Sequence, residues 1–320
     1  MEGVPVQRSV RRPRFRRAAT PPPFRLTEDD VAIIRHIARH RFLRSTHIAA
    51  LVGRSLDRTN DRLLRLFHAG YVDRPRAQLD RFPTSGTAPM LYALADRGAR
   101  LLHQRGELVS APVAWSRKNR KVQRPFIDHQ IEIVDFQVAL QRALSTRADV
   151  RLFFEGERSA AASRQQEPEA RCPFILSARL SQNGIVRNVS VVPDLVFALH
   201  FADGTRRNYT VEIDRGTMPV SRSGPEQTSI ARKMRVYLAA HAAKQHQREF
   251  GWTSFRVLFV TTTPERIETM IDAARHSQAR RHGVGASLFW FSTFAEIKEA
   301  ADLLSLAWRD GNRRAVRLAQ

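Results

Sequence analysis

The chain has 320 residues, with 53 Lys and Arg against 31 Asp and Glu, a formal net charge of +22. That length suits two domains, and 42% hydrophobic content is enough for cores. An arginine-dominated excess points to a polyanionic partner, with nucleic acid ahead of an anionic membrane, because the planar guanidinium suits phosphate. No apolar run approaches the roughly 18 residues of a spanning helix, so membrane insertion is excluded. A single cysteine, Cys172, excludes a disulfide framework and a cysteine-rich zinc site, and it fits a reducing, cytoplasmic setting.

Residues 1–24 carry Arg8, Arg11, Arg12, Arg14, Arg16 and Arg17, then Pro21-Pro22-Pro23. With no apolar stretch to form a core or a secretory signal, they read as a disordered basic arm for phosphate contact or minor-groove insertion.

Residues 25–105 read as a compact unit. Thr27 and Asp30 form a capping-box pattern ahead of Val31, Ile34 and Ile37 at helical spacing. Ser45 or Thr46 caps a second helix that ends at Gly53. Ser55 opens a third, with Leu63, Leu66 and Phe67 inward and Gly70 closing it. Two β-like pieces, Tyr71-Val72 and Leu91 to Leu94, precede a helix over 96–104. Three helices and a two-stranded wing predict a winged helix-turn-helix. Arg58, Arg62 and Arg65 share a face of the third helix, and Thr59 and Asn60 lie where a recognition helix meets base edges. Arg74, Arg76 and Arg81 on the wing would reach the DNA backbone or minor groove. A three-helix bundle with a solvated basic face, or a protein-binding winged helix, is the alternative.

Residues 106–124 read as a linker whose Arg117, Lys118, Arg120, Lys121 and Arg124 track a phosphate backbone. Residues 125–310 read as an α/β domain. A helix over 126–143 begins with Asp128, His129 and Glu132. A strand follows at 150–155, then a polar loop over 158–169. Next come a strand around Asp194, a turn over 201–205 and a strand over 209–214. A helix over 229–247 and an apolar strand over 255–261 complete the order helix, three strands, helix, strand. A helix over 264–281, a strand over 288–291 and a helix from Thr293 extend the same sheet, and residues 312–320 read as a frayed basic end.

Strand alternation sends Val211 and Ile213 one way and Glu212 and Asp214 the other. Pairing with the Asp194 strand would bring three carboxylates together. That needs a cation between them, and a divalent metal with hard oxygen ligands is the economical one. A solvated acidic hairpin face is the bland reading. Glu132 is a further candidate ligand, and Lys233 a candidate cation. His129 is a candidate base, ligand or phosphate contact, or else fills a helix–sheet junction. Of the four tyrosines, Tyr237, one turn after Lys233, is the best placed to attack phosphate, with an orienting role as the alternative. No P-loop is present, so no ATP-driven motor is expected.

The helix-and-strand order with Pro193-Asp194 and Glu212-Ile213-Asp214 resembles the PD-(D/E)XK nuclease core. With Arg215-Gly216-Thr217, Lys233 and Tyr237, the layout over residues 25–300 more closely resembles the replication-relaxation family of plasmids and integrative elements. The resemblance implies a restriction-endonuclease-like αβββαβ core and a role in mobile-element DNA processing, as a metal-dependent nickase or relaxase. It implies Mg²⁺ or Mn²⁺ on Asp194 and Glu212, with Lys233 standing in for the superfamily lysine, whose place Asp214 takes. The implied partners are double-stranded DNA at an origin-like site, single-stranded DNA, and proteins of a DNA-processing complex. The competing expectation is a non-enzymatic winged-helix regulator with a vestigial nuclease-like domain.

Overall fold

The computed structural model describes residues 14–79, 88–108, 114–145, 147–154, 174–182, 185–222, 229–278 and 284–319. Arg8, Arg11, Arg12, Arg81, the 158–169 loop and Cys172 lie outside these residues. The chain divides into two compact units, Met1–Val134 and Asp135–Gln320. Each is mixed α/β.

In the N-terminal unit, α1 (Glu28–His40) starts from the Thr27/Asp30 capping box and buries Val31, Ile34 and Ile37. Arg41, at φ 67°, turns the chain into a short strand, β1 (Phe42–Arg44), absent from the expected elements. In α2 (Ser45–Val52), Ser45 is the first helical residue, not the cap, and Gly53 at φ 63° ends the helix. Next, α3 (Leu56–His68) runs from Ser55 with Leu63, Leu66 and Phe67 inward. Strands β2 (Val72–Asp73) and β3 (Leu91–Leu94) follow, and β1 pairs the free edge of β3 to make an antiparallel sheet of order β1-β3-β2. Helix α4 (Asp96–Gln104) closes over it. A Cβ on Gly98 would stand 2.3 Å from the Tyr71 carbonyl oxygen, so glycine is what lets α4 approach.

Two expectations fail here. Residues 14–18 are not free chain. Arg17 donates from Nε to the Phe67 carbonyl at 2.8 Å and from Nη2 to that of Val72 and to Asp73, while the Ala18 amide donates to His68 Nδ1. The guanidinium thereby ties the end of α3 to β2. The basic stretch 115–121 is not an extended linker but a helix, α5 (Trp115–Lys121). Its Asn119 is buried, and Nδ2 donates to the Leu94 carbonyl at 2.8 Å and to Asp73 at 3.0 Å. The Ser116 amide adds a bond to Asp96. The long α6 (Arg124–Leu144) follows, and the division between the units falls within it.

The C-terminal unit is built on a mixed seven-stranded sheet of order β12-β11-β10-β9-β8-β7-β4. Its strands are β4 (Val150–Phe154), β7 (Leu195–Phe201), β8 (Arg206–Ile213), β9 (Phe255–Thr261), β10 (Phe289–Thr293), β11 (Trp308–Asp310) and β12 (Ala315–Val316). Strands β8, β9 and β10 are parallel and the other pairings antiparallel. The central strands are buried on both faces, as their continuous apolar runs require. On one face Phe136 of α6 meets Phe197 and Trp308, and Tyr209 stacks on Phe197. On the other lie α7 (Ile230–Ala242) and α9 (Pro264–Gln278), with the short α8 (Gln245–Phe250) between them in sequence. Helix α10 (Phe294–Glu299) starts from a Thr293/Glu296 capping box.

The expected strand around Asp194 is two strands. Residues 176–191 form a hairpin of their own, β5 (Leu176–Gln182) with β6 (Ile185–Val191), which packs on α7, and Asp194 sits in the bend before β7. Nor is the C-terminal end frayed. Strand β12 pairs β11, Leu318 is fully buried, and its carbonyl accepts from Tyr209 Oη at 3.2 Å.

Candidate functional site

Two strand ends and one helix meet around Glu212. The Asp194 amide donates to the Val211 carbonyl, and the Ile213 amide donates back to Asp194 Oδ2 at 2.8 Å. This exchange fixes the Asp194 bend beside the end of β8. Glu212, between Val211 and Ile213, projects toward α7 as the alternation requires. There Lys233 Nζ lies 2.5 Å from Oε2, and Tyr237 Oη donates to Oε1 at 2.6 Å. Lys233 and Tyr237 are four apart on one helix, the spacing that puts both on one face.

Glu212 is 2% exposed and Lys233 25%. Burial pushes the Glu212 carboxyl up from its ordinary range, and the charge of Asp194 adds to the push while Lys233 opposes it. For Lys233, burial works against the charge. The carboxylate of Glu212, aided by Asp194 and Asp214, outweighs it and holds the ammonium above its usual value. Lys233 is thus the cation paired with Glu212, within electrostatic reach of Asp194 and Asp214.

Asp214 is drawn elsewhere. It lies just past the end of β8 and accepts from Thr261 Oγ1 at 2.6 Å and from Arg266 Nε and Nη2 at 2.5 and 2.9 Å. The same Arg266 Nη2 reaches the Met218 carbonyl, so the pair clasps the Arg215-Gly216-Thr217 turn to the start of α9. Sequence reasoning missed Arg266. Its signal was its position in the first turn of the helix that leaves β9, the parallel neighbour of β8.

Among the described residues no group of three or more His, Cys, Asp and Glu could hold a metal ion. Of the three expected acids, Asp194 and Glu212 lie together while Asp214 is bound by Arg266, and both Glu212 oxygens are themselves engaged, by Lys233 and Tyr237. Asp194 and Glu212 are neighbouring hard oxygen donors, and burial first, with the charge of Asp194 adding to it, raises the Glu212 pKa. Glu132 and His129 lie in the N-terminal unit, on α6.

All four tyrosines of the chain are buried: Tyr71 at 8% exposure, Tyr92 at 2%, Tyr209 at 1% and Tyr237 at 0%. Burial, with the Glu212 carboxylate beside it, pushes the Tyr237 phenol well above its ordinary value, and burial pushes Tyr209 up to about 12. Tyr237, the candidate nucleophile with an orienting role as the other reading, spends its hydroxyl on Glu212.

In the N-terminal unit the expected DNA-reading residues separate. Arg62 turns inward. Its guanidinium makes a paired contact with the fully buried Asp30, with Nε to Oδ1 at 2.8 Å, and it lies over the Phe24 ring. Thr59 is buried, and its hydroxyl donates to the Ser55 carbonyl. Arg65 pairs with Asp61 one turn earlier. Arg74 lies over the Phe67 and Tyr92 rings and donates to Tyr92 Oη. Arg58, Asn60, Arg76, Arg117, Lys118, Arg120 and Lys121 are exposed.

No curated protein and no solved structure matches the chain. The description of one family, replication-relaxation, matches residues 34–254, which take in most of the N-terminal unit and the whole Asp194–Glu212–Lys233 cluster. On that match over more than half its length, the chain belongs to the replication-relaxation family.

Proposed function

We propose that this protein is a sequence-directed DNA-binding protein of plasmid or mobile-element replication and mobilisation that nicks DNA with metal assistance at Asp194, Glu212 and Lys233. Family membership supports the replication-related part. In this reading residues 25–105 are a winged helix and the C-terminal unit a PD-(D/E)XK-like core. The order of α6, β4, β7, β8, α7 and β9, with β5 and β6 set aside as a hairpin, supports the second.

The observation that carries the proposal is the 2.5 Å contact between Lys233 and Glu212, made within electrostatic reach of Asp194. It supplies from α7 the ammonium that the nuclease pattern takes from the strand. Asp194 and Glu212 would hold Mg²⁺ or Mn²⁺, which, when bound, polarises a phosphodiester and makes water a better nucleophile. Lys233 keeps a cation beside the acids for the phosphate to meet, and Tyr237 fixes the orientation of the Glu212 carboxylate. With every tyrosine buried, water is the attacking group in this reading.

The test is a nicking assay on supercoiled plasmid carrying the cognate origin, with Mg²⁺ or Mn²⁺. Asp194→Asn and Glu212→Gln should abolish nicking and leave duplex binding intact. Tight binding with no cleavage in either metal would sink the enzymatic reading. That outcome would favour a DNA clamp, a reading supported by the full engagement of both Glu212 oxygens.

A further inference from the structure

We propose that α5 is a preorganised ridge that grips the phosphate backbone of duplex DNA, and that the electrostatic affinity of the N-terminal unit resides there and not on α3. The inference rests on the DNA-binding reading above and deepens it: cations expected to track phosphate from a linker instead stand on a fixed helix.

Three observations carry it. First, four of the seven residues of α5 are the exposed cations Arg117, Lys118, Arg120 and Lys121. Among the described residues none of the four has a carboxylate partner. By contrast, α3 holds three arginines and two aspartates; Arg62 is committed to the buried Asp30, Arg65 shares its charge with the exposed Asp61, and Arg58 is left. Charges already paired at short range release few counterions when phosphate arrives, and unpaired ones release about one each.

Second, α5 is fixed. Asn119 is tied to Asp73 and to the Leu94 carbonyl, and the Ser116 amide to Asp96. These bonds hold the opposite side of the helix against the sheet, so the four cations project from one half of a short rigid rod. Third, two cations lie over the Trp115 ring, Arg41 at 4.8 Å and Lys118 at 5.6 Å from its centroid. The indole lets like charges gather without an acid between them. A ridge whose cations are ordered in advance loses less side-chain entropy on binding than a flexible linker would.

The experiment measures binding of the full chain to a duplex of arbitrary sequence across a salt series. At about 0.9 per neutralised phosphate, changing Arg117, Lys118, Arg120 and Lys121 together to Gln should flatten the slope of log K against log salt by about 3 to 4. Arg58→Gln should change it by no more than about 1. A charge-matched control, with Arg179, Lys244, Arg248 and Lys298 of the C-terminal unit changed to Gln, should leave it nearly unaltered. A wild-type slope in the α5 variant would overturn the inference while leaving DNA binding standing. Equal flattening in the control would overturn it in favour of net charge alone. Failure of the wild-type chain to bind duplex at any salt would instead reject the DNA-binding reading. Binding to anionic vesicles that is lost in the variant, with duplex binding unchanged, would assign α5 to a lipid surface and also overturn it.

Discussion

Replacing Lys233 with Met removes the ammonium from Glu212 and keeps the bulk of the side chain. The carboxylate, 2% exposed, then keeps the Tyr237 hydroxyl as a hydrogen-bond donor and an acid neighbour in Asp194. Breaking a buried pair from one side costs roughly 3–5 kcal/mol when the remaining group stays charged. Glu212 has an escape, which is to bind a proton. Protonating an ordinary glutamate, pKa about 4.3, costs about 3.7 kcal/mol at pH 7 and about 1 kcal/mol at pH 5. The loss should therefore be at most about 4 kcal/mol at pH 7 and shrink to about 1 kcal/mol at pH 5.

The sign follows from linkage. With its folded pKa raised, Glu212 in the variant binds more protons folded than unfolded, so stability falls as pH rises through that window. Urea denaturation of wild type and variant at both pH values measures the difference. Adding Glu212→Gln should remove most of the pH dependence, because no buried charge is then left over. A Lys233→Met penalty equal at pH 5 and pH 7, or below about 1 kcal/mol at pH 7, would refute the buried-pair reasoning.

Two further outcomes follow from pairs elsewhere in the molecule. Arg62→Ala should lower the stability of the N-terminal unit by about 3 kcal/mol, since Asp30 is left charged and buried, and thermal denaturation would register it; loss of sequence preference at unchanged stability would instead return Arg62 to base reading. Asp214→Asn should leave metal affinity, measured by calorimetry with Mn²⁺, within about twofold of wild type, because Asp214 belongs to Arg266 and not to the acid pair. A large loss of Mn²⁺ binding would make it a ligand after all.

Much of the site was legible because its signals are local. Alternation on β8 gave the direction of Glu212, and the spacing of four between Lys233 and Tyr237 put them on one helix face. Helix α4 was readable to its termini because a turn and an amphipathic pattern bound it. What escaped depends on distant partners. The inward turn of Arg62 is set by Asp30, thirty-two residues earlier, whose carboxylate was already accounted for by the capping box. Helix α5 lacks apolar periodicity and is held by polar bonds from Asn119 and the Ser116 amide, so its sequence resembles a linker. Strand β1 has only three residues and follows a non-glycine left-handed turn at Arg41. The β5–β6 hairpin was merged into the next strand because Val191 and Val192 run apolar up to the bend at Asp194.

The burial of every tyrosine has a consequence for what becomes of a cut strand. Enzymes that trap a DNA end on a phenolic oxygen conserve the bond they break and can reverse it. Here all four tyrosines are buried. A break made by water at Glu212 would release both ends unlinked to the protein, and the energy of the phosphodiester would be lost. Superhelical tension would then dissipate fully, and closure would depend on a separate, energy-consuming ligation. In that case this protein would commit the DNA to strand opening, and another activity would decide when the strand closes.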